Sequence, residues 1–96
     1  MKIRLTRLAE QDLESIETYL GEENPRDAVR CVLRILEALE GLMAFPNLGR
    51  PGRVPGTREL VVSGLPFIAA YRVQANEIWI LRVLHAARRW PPSMEP

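Results

Sequence analysis

The side chains best suited to chemistry lie between Arg58 and Trp90, RELVVSGLPFIAAYRVQANEIWILRVLHAARRW, which gathers Arg72, Arg82, Arg88 and Arg89 around the sequence's single histidine, His85. A histidine titrates near neutral pH and can move protons. Arginine grips carboxylate or phosphate through a planar, bidentate fork. A Ser-His-Asp arrangement through His85 is formally open, but no serine sits in a nucleophile turn such as GxSxG. One histidine and one cysteine cannot supply the three or four nitrogen and sulfur ligands of a usual metal site, so neither metal nor cofactor is expected. His85, near the end of an apolar run, reads as a packed or hydrogen-bonded residue rather than a catalytic base. Arg82, close in pattern to Phe67, Tyr71 and Ile80, requires a carboxylate or an open cleft. Arg88-Arg89-Trp90 suits stacking on nucleic acid or anchoring a protein interface. The segment reads as a surface that grips.

The elements that must position these residues follow from periodicity. Residues 1–5 alternate, Ile3 and Leu5 against Lys2 and Arg4, as a half-buried strand does. Thr6 is placed to cap a helix over 6–21, with Ala9, Leu13, Ile16 and Leu20 as its apolar stripe and Glu10, Asp12, Glu14 and Glu17 toward solvent. Asn24-Pro25 opens a second helix, 24–44, with Ala28, Val32, Ile35, Leu36, Leu39 and Met43 on its apolar side and the row Arg26–Arg30–Arg34 opposite. The short connection between the helices, about three residues, implies an antiparallel αα-hairpin. Phe45 to Thr57, FPNLGRPGRVPGT, holds three prolines and three glycines, reads as loop, and carries no phosphate-loop pattern.

Strands are expected over 58–62, 67–73 and 77–86, followed by a tail over 87–96. A two-residue turn at Ala75-Asn76 sets Val73 opposite Ile78 and Arg72 opposite Trp79. In that register Phe67, Ala69, Tyr71, Ile80, Arg82 and Leu84 share one face, and Ile68, Ala70, Arg72, Trp79, Leu81, Val83 and His85 the other. Arg72 beside Trp79 suits a cation–π pair. Both faces are largely apolar and a helical hairpin covers only one. The other then needs the tail or another chain. The fold class is α+β: a short first strand and an αα-hairpin on one face of a small, mainly antiparallel sheet, in one domain over 1–96.

Composition limits the alternatives. No apolar run approaches the roughly 18 residues of a membrane span, and the N-terminus lacks the apolar core of a signal peptide. The lone Cys31 cannot form an internal disulfide, and a reducing, cytoplasmic setting is expected. The net charge of +1 conceals two halves. Residues 1–48 carry six Lys/Arg against nine Asp/Glu, and residues 49–96 carry seven against three. Twelve of the thirteen cations are arginine, which suits an acidic peptide or nucleic acid as partner for the basic half and equally suits a soluble domain with arginine-rich usage.

Four ordered pieces resemble the RelE/ParE superfamily of bacterial toxins: A9-E-Q-D-L-E-S-I, N24-P-R-D-A, F45-P-N-L-G-R-P-G, and Y71-R-V with I80-L-R-V-L-H-A-A-R. They are closer to the ParE, plasmid-stabilisation, branch. The resemblance implies a β-α-α-β-β-β fold and a type II toxin–antitoxin system. ParE-like members poison DNA gyrase by trapping its cleaved-DNA complex, without catalysis of their own. RelE-like members cut ribosome-bound messenger RNA, and in that event Arg82, His85 and Arg89 would be the catalytic set. Ile68 stands where ribosome-dependent members tend to carry an arginine, and the tail has no tyrosine, which favours gyrase. An inert, purely binding descendant is a third class. The resemblance implies as partner a ParD-like antitoxin of ribbon-helix-helix type, with DNA reached only through antitoxin or gyrase. Arg82, Arg88, Arg89 and Trp90 are the expected target-facing group. Arg26, Arg30, Arg34, Arg72 and Trp79 are the expected antitoxin-facing group.

Overall fold

The computed structural model describes residues 1–89. The order is β1 (Lys2–Leu5), α1 (Arg7–Gly21), α2 (Pro25–Glu40), a 3₁₀ turn (Gly41–Met43), β2 (Arg50–Pro51), β3 (Arg58–Val61), β4 (Phe67–Gln74) and β5 (Glu77–His85). They build one five-stranded sheet, β1-β5-β4-β3-β2, in which only the β1–β5 pair is parallel. The two helices lie on one face of it. Their starts are written locally. Thr6 accepts a hydrogen bond from the Ala9 amide, and Asn24 accepts one from the Asp27 amide with Pro25 opening the helix.

The core is shared between the hairpin and one sheet face. Ala9, Cys31, Ile35, Leu39 and Leu42 meet Leu60, Val62, Phe67, Ala69, Tyr71, Ile78, Ile80 and Val83, with Ile3, Leu5, Leu13, Ile16 and Leu20 packed around them. Burying each large aliphatic or aromatic side chain stabilises the fold by about 1.5–3 kcal/mol. Cys31 belongs to this core, and burial pushes its thiol above the ordinary value. Met43, expected in the α2 stripe, is exposed. The stripe instead continues through Leu42, because the helix tightens to 3₁₀ geometry after Glu40.

Ala75 and Asn76 both take positive φ, 51° and 61°, and join β4 to β5 with Val73 opposite Ile78 and Arg72 opposite Trp79. Beyond that the expected facing fails. The register jumps from Tyr71↔Ile80 to Ala70↔Arg82, leaving Leu81 as an extra residue in β5. One extra residue reverses the side-chain alternation downstream of it. Val83 therefore joins the core rather than the outer face, and His85 pairs with Phe67. The outer face is apolar around β3 to β5 and charged toward β1. Ile68, Ala70, Leu81 and Leu84 are buried, Val61 and Glu59 of β3 stand beside them, and Arg4, Trp79, Arg72, Lys2, Glu77 and Gln74 fill the end toward β1.

A second difference lies in the Pro/Gly-rich connector. Arg50-Pro51 is not loop but a short edge strand paired with Glu59 and Arg58. The stretch is tied to the sheet by Tyr71, whose hydroxyl donates to the Pro46 carbonyl at 2.7 Å and accepts from the Gly49 amide at 2.9 Å. A Cβ on Gly49 would fall 2.7 Å from the Tyr71 ring and 2.9 Å from the Glu59 carbonyl, so the backbone needs glycine there. Glu59, 2% exposed, accepts from the Arg53 amide and from Arg50.

Candidate functional site

Sequence places a helix start beside the bulge, and one threonine ties the two together. Thr6 caps α1 and also donates its hydroxyl hydrogen to the Leu81 carbonyl at 2.9 Å. β1 ends at Leu5, so α1 takes over beside the last residues of β5. Asp12 sits there. Its carboxylate accepts from Arg82 Nε at 2.8 Å, from Arg82 Nη2 at 2.9 Å and from the Val83 amide at 2.9 Å. This bidentate pair is nearly sealed from solvent, and the Asp12 hydrogen bonds raise the guanidinium's proton affinity above its usual high value. Asp12 was expected on the solvent side of α1; the structure corrects that. The carboxylate Arg82 required is Asp12, and Arg82 is 7% exposed.

Past this pair, an open groove of about 740 Å³ runs between α1, the start of α2 and the end of β5. Ile16, Leu20, Cys31, Leu65, Phe67 and Val83 give it an apolar floor. Tyr19, 74% exposed, stands on one wall. Asp27 supplies negative charge, Asp12 being neutralised by Arg82, and His85 and Arg88 supply a polar end near the close of β5. The His85 ring meets Phe67 edge-on, with centroids 5.8 Å apart and planes at 81°. Its Nδ1 accepts from the Ala87 amide at 3.0 Å, which fixes the ring over the β5 terminus. A concave apolar surface with charges at its margins is built to hold a side-chain-bearing segment of another molecule.

The residues singled out from sequence are distributed unevenly around it. Arg88 lines the groove, Arg89 is exposed just beyond, and Trp90 lies outside the described residues. Arg82 sits behind the groove with its charge taken up by Asp12. Arg26, Arg30 and Arg34 run along α2. Arg30 lies 3.9 Å from Asp27 and Arg34 3.7 Å from Glu37, exposed pairs of little energetic weight. Arg72 and Trp79 lie on the outer sheet face, so the structure does not unite them with the α2 row. The cation over Trp79 is not Arg72 but Arg4, at 5.9 Å from the ring centroid, because the parallel β1–β5 register sets Arg4 against Trp79.

Sequence reasoning passed over Asp12 and Tyr19, and each had a signal. Asp12 lies three residues after Ala9 and four before Ile16, on the margin of the buried stripe rather than opposite it. Tyr19 is a large aromatic three residues after Ile16, at the edge of the apolar stripe.

Comparison with known proteins agrees with this architecture. The family model for the ParE toxin of type II toxin–antitoxin systems, parDE, matches residues 3–90. The chain is 41% identical over 90 residues to the protein Y4kP of Sinorhizobium fredii, covering 94% of this chain and 93% of that one. It is 38% identical over 77 residues to Toxin RelE2 of Caulobacter vibrioides, covering 80% and 85%. Among solved structures it superposes on a chain of the chromosomal ParDE system of P. aeruginosa with a TM-score of 0.82 and 38% identity, over 88% of this chain and 95% of that one. A chain of the RelBE2 toxin–antitoxin complex of Mycobacterium tuberculosis shares the fold, with a TM-score of 0.63 and 24% identity over the same shares. The β-α-α-β sheet, the connector clasped by Tyr71 and the match over residues 3–90 converge: the chain belongs to the ParE toxin family of type II toxin–antitoxin systems.

Proposed function

We propose that this chain is a cytoplasmic toxin that inhibits DNA gyrase by stabilising its cleaved-DNA complex, acts without catalysis of its own, and is silenced by an antitoxin seated in the α1–α2–β5 groove. The Asp12–Arg82 pair carries the reading. Of the three residues a ribonuclease of this fold would use, Arg82 is buried with its fork closed on a carboxylate, and so is withheld from a scissile phosphate. Ile68 of β4, 4% exposed, stands where the resemblance to ribosome-dependent members would put a cation. Losing such a charge costs a phosphoryl-transfer site on the order of 10²-fold or more in rate. Target contact then falls to the exposed Arg88 and Arg89, together with Trp90.

The groove suits the antitoxin because it offers an apolar floor and an accessible tyrosine, the materials of an interface anchor. A segment placing apolar side chains over Ile16 and Leu20 and a carboxylate near Arg88 would complement it. A ribbon-helix-helix domain elsewhere in that partner fits the type II arrangement.

Supercoiling by purified gyrase is the test. The expected result is inhibition with accumulated cleaved DNA, reversed by the antitoxin; uninhibited supercoiling without cleaved DNA sinks the proposal. A second reading, ribosome-dependent cleavage of messenger RNA, draws support from the 38% identical relative named Toxin RelE2. It requires message cut on the ribosome, with the cut lost in His85→Ala.

A further inference from the structure

We propose that the outer face of the sheet is a contact surface for the phosphate backbone of duplex DNA, separate from the groove and independent of whichever target the toxin poisons. The strand registers put its charges in rows. Arg4, Trp79 and Arg72 lie side by side across β1, β5 and β4, and Lys2, Glu77 and Gln74 form the next row. On β3 the buried Glu59 shares this face with Ala70 and is covered by Arg50 and Arg53. Among the described residues, Arg4, Arg72 and Lys2 thus meet one carboxylate, Glu77, while Glu59 is already engaged by Arg50 and Arg53 under the connector. The helical side is net acidic: exposed Glu10, Glu14, Glu17, Glu22, Glu23, Asp27, Glu37 and Glu40 outweigh exposed Arg7, Arg26 and Arg30. A fold so polarised presents its sheet, not its helices, to a polyanion.

Geometry selects the polyanion. Neighbouring strands lie about 4.8 Å apart, so the cations of β1 and β4 flank β5 at roughly 10 Å, a span comparable with the grooves of a duplex. One face of the Trp79 ring is taken by the Arg4 guanidinium, which disfavours the base stacking that single-stranded nucleic acid uses. A protein interface would want an apolar anchor site. The depression here is only about 240 Å³ and is bordered by Thr6, Arg72, Gln74, Trp79 and Leu81, with hydroxyl, guanidinium and amide at its margin. Arg72 and Lys2 are the cations best placed to meet phosphate. Arg4 is partly neutralised by Glu77, which it hydrogen-bonds.

Fluorescence anisotropy with a labelled 20-base-pair duplex, titrated with the full chain at 50–200 mM salt, tests this against a labelled polyglutamate peptide. The expected result is duplex binding that weakens with salt and exceeds binding to polyglutamate. Lys2→Ala and Arg72→Gln should each lower the slope of log affinity on log salt by about 0.9, the share of one phosphate contact. Glu77→Gln should tighten binding, and the groove variant Tyr19→Ala should leave it unchanged. Lys2 is exposed, so its variant tests the surface without endangering the fold; thermal melts confirm that Arg72→Gln is folded. No duplex binding at 50 mM salt, polyglutamate bound as tightly as duplex, or slopes unmoved by Lys2→Ala would overturn the proposal. The gyrase assay is untouched by that failure, since it reads the C-terminal arginines.

Discussion

Two arginine-rich regions of this molecule behave in opposite ways. In the connector and β3, Arg50 and Arg53 close over Glu59, and Arg58 donates to the Gly49 carbonyl at 2.8 Å. Together with Tyr71 they lock a stretch with three prolines and three glycines onto the sheet. At the end of β5, Arg88 and Arg89 point into solvent at the mouth of an apolar groove. The same residue type is a fastener in the first region and an available charge in the second. Arg82 shows why composition cannot tell them apart. By sequence it belongs with Arg88 and Arg89, and by its partners it belongs with the fasteners.

The largest effect should come from the residue that sets Arg82 apart. Asp12→Ala leaves a guanidinium buried without its carboxylate and the Val83 amide without its acceptor. It is expected to cost about 3–5 kcal/mol in chemical denaturation. A cost under about 1 kcal/mol would return Arg82 to the available group. The connector should respond next. Gly49→Ala forces a Cβ against Tyr71 and the Glu59 carbonyl, and about 1–3 kcal/mol of destabilisation is expected. Tyr71→Phe removes one donor and one acceptor from the clasp and should cost about 1–2 kcal/mol by the same measurement.

How much of this was legible in the sequence depended on how local its cause was. Thr6, Asn24-Pro25 and Ala75-Asn76 act within a few residues, so the helix starts and the hairpin register could be read directly. The Leu81 bulge could not, because Ile80-Leu81-Arg82-Val83-Leu84 alternates no more clearly with an extra residue than without one. That single insertion reversed the facing of Arg82, Val83, Leu84 and His85, and with it the expected site. FPNLGRPG was recognisable as a family piece, yet its physical reason, a backbone clasp on a tyrosine 22 residues beyond Gly49, needed the fold. The groove is a meeting of α1, α2 and β5, and no one segment carries it.

The exposed region should show the converse behaviour. Arg88→Ala with Arg89→Ala is expected to change stability by no more than about 0.5 kcal/mol while reducing growth inhibition in a bacterium expressing the chain. Unchanged toxicity would remove these arginines from target contact. Tyr19→Ala should be as mild for stability, yet cost about 2 kcal/mol in antitoxin affinity if the groove is the docking site. Calorimetric titration of the pair measures it.

The smallest effect belongs to a pair between these extremes, Arg4 and Glu77, ion-paired but exposed. The hydrogen bond from Arg4 is the main cause that holds the Glu77 carboxyl below the usual glutamate range. A depressed folded-state value means the unfolded chain binds the proton first as pH falls. The pair's contribution is therefore complete above the ordinary glutamate value, and it is lost as pH drops through the lower, folded one. Solvent screening keeps it small. Arg4 also covers Trp79, so in a Trp90→Phe background the remaining indole reports on the pair. Its emission should shift along an acid limb centred below the normal glutamate range, and Glu77→Gln should abolish that limb. A limb surviving the substitution would mean that a group other than Glu77 titrates beside Trp79, and the pair would then not be the source of the acid response.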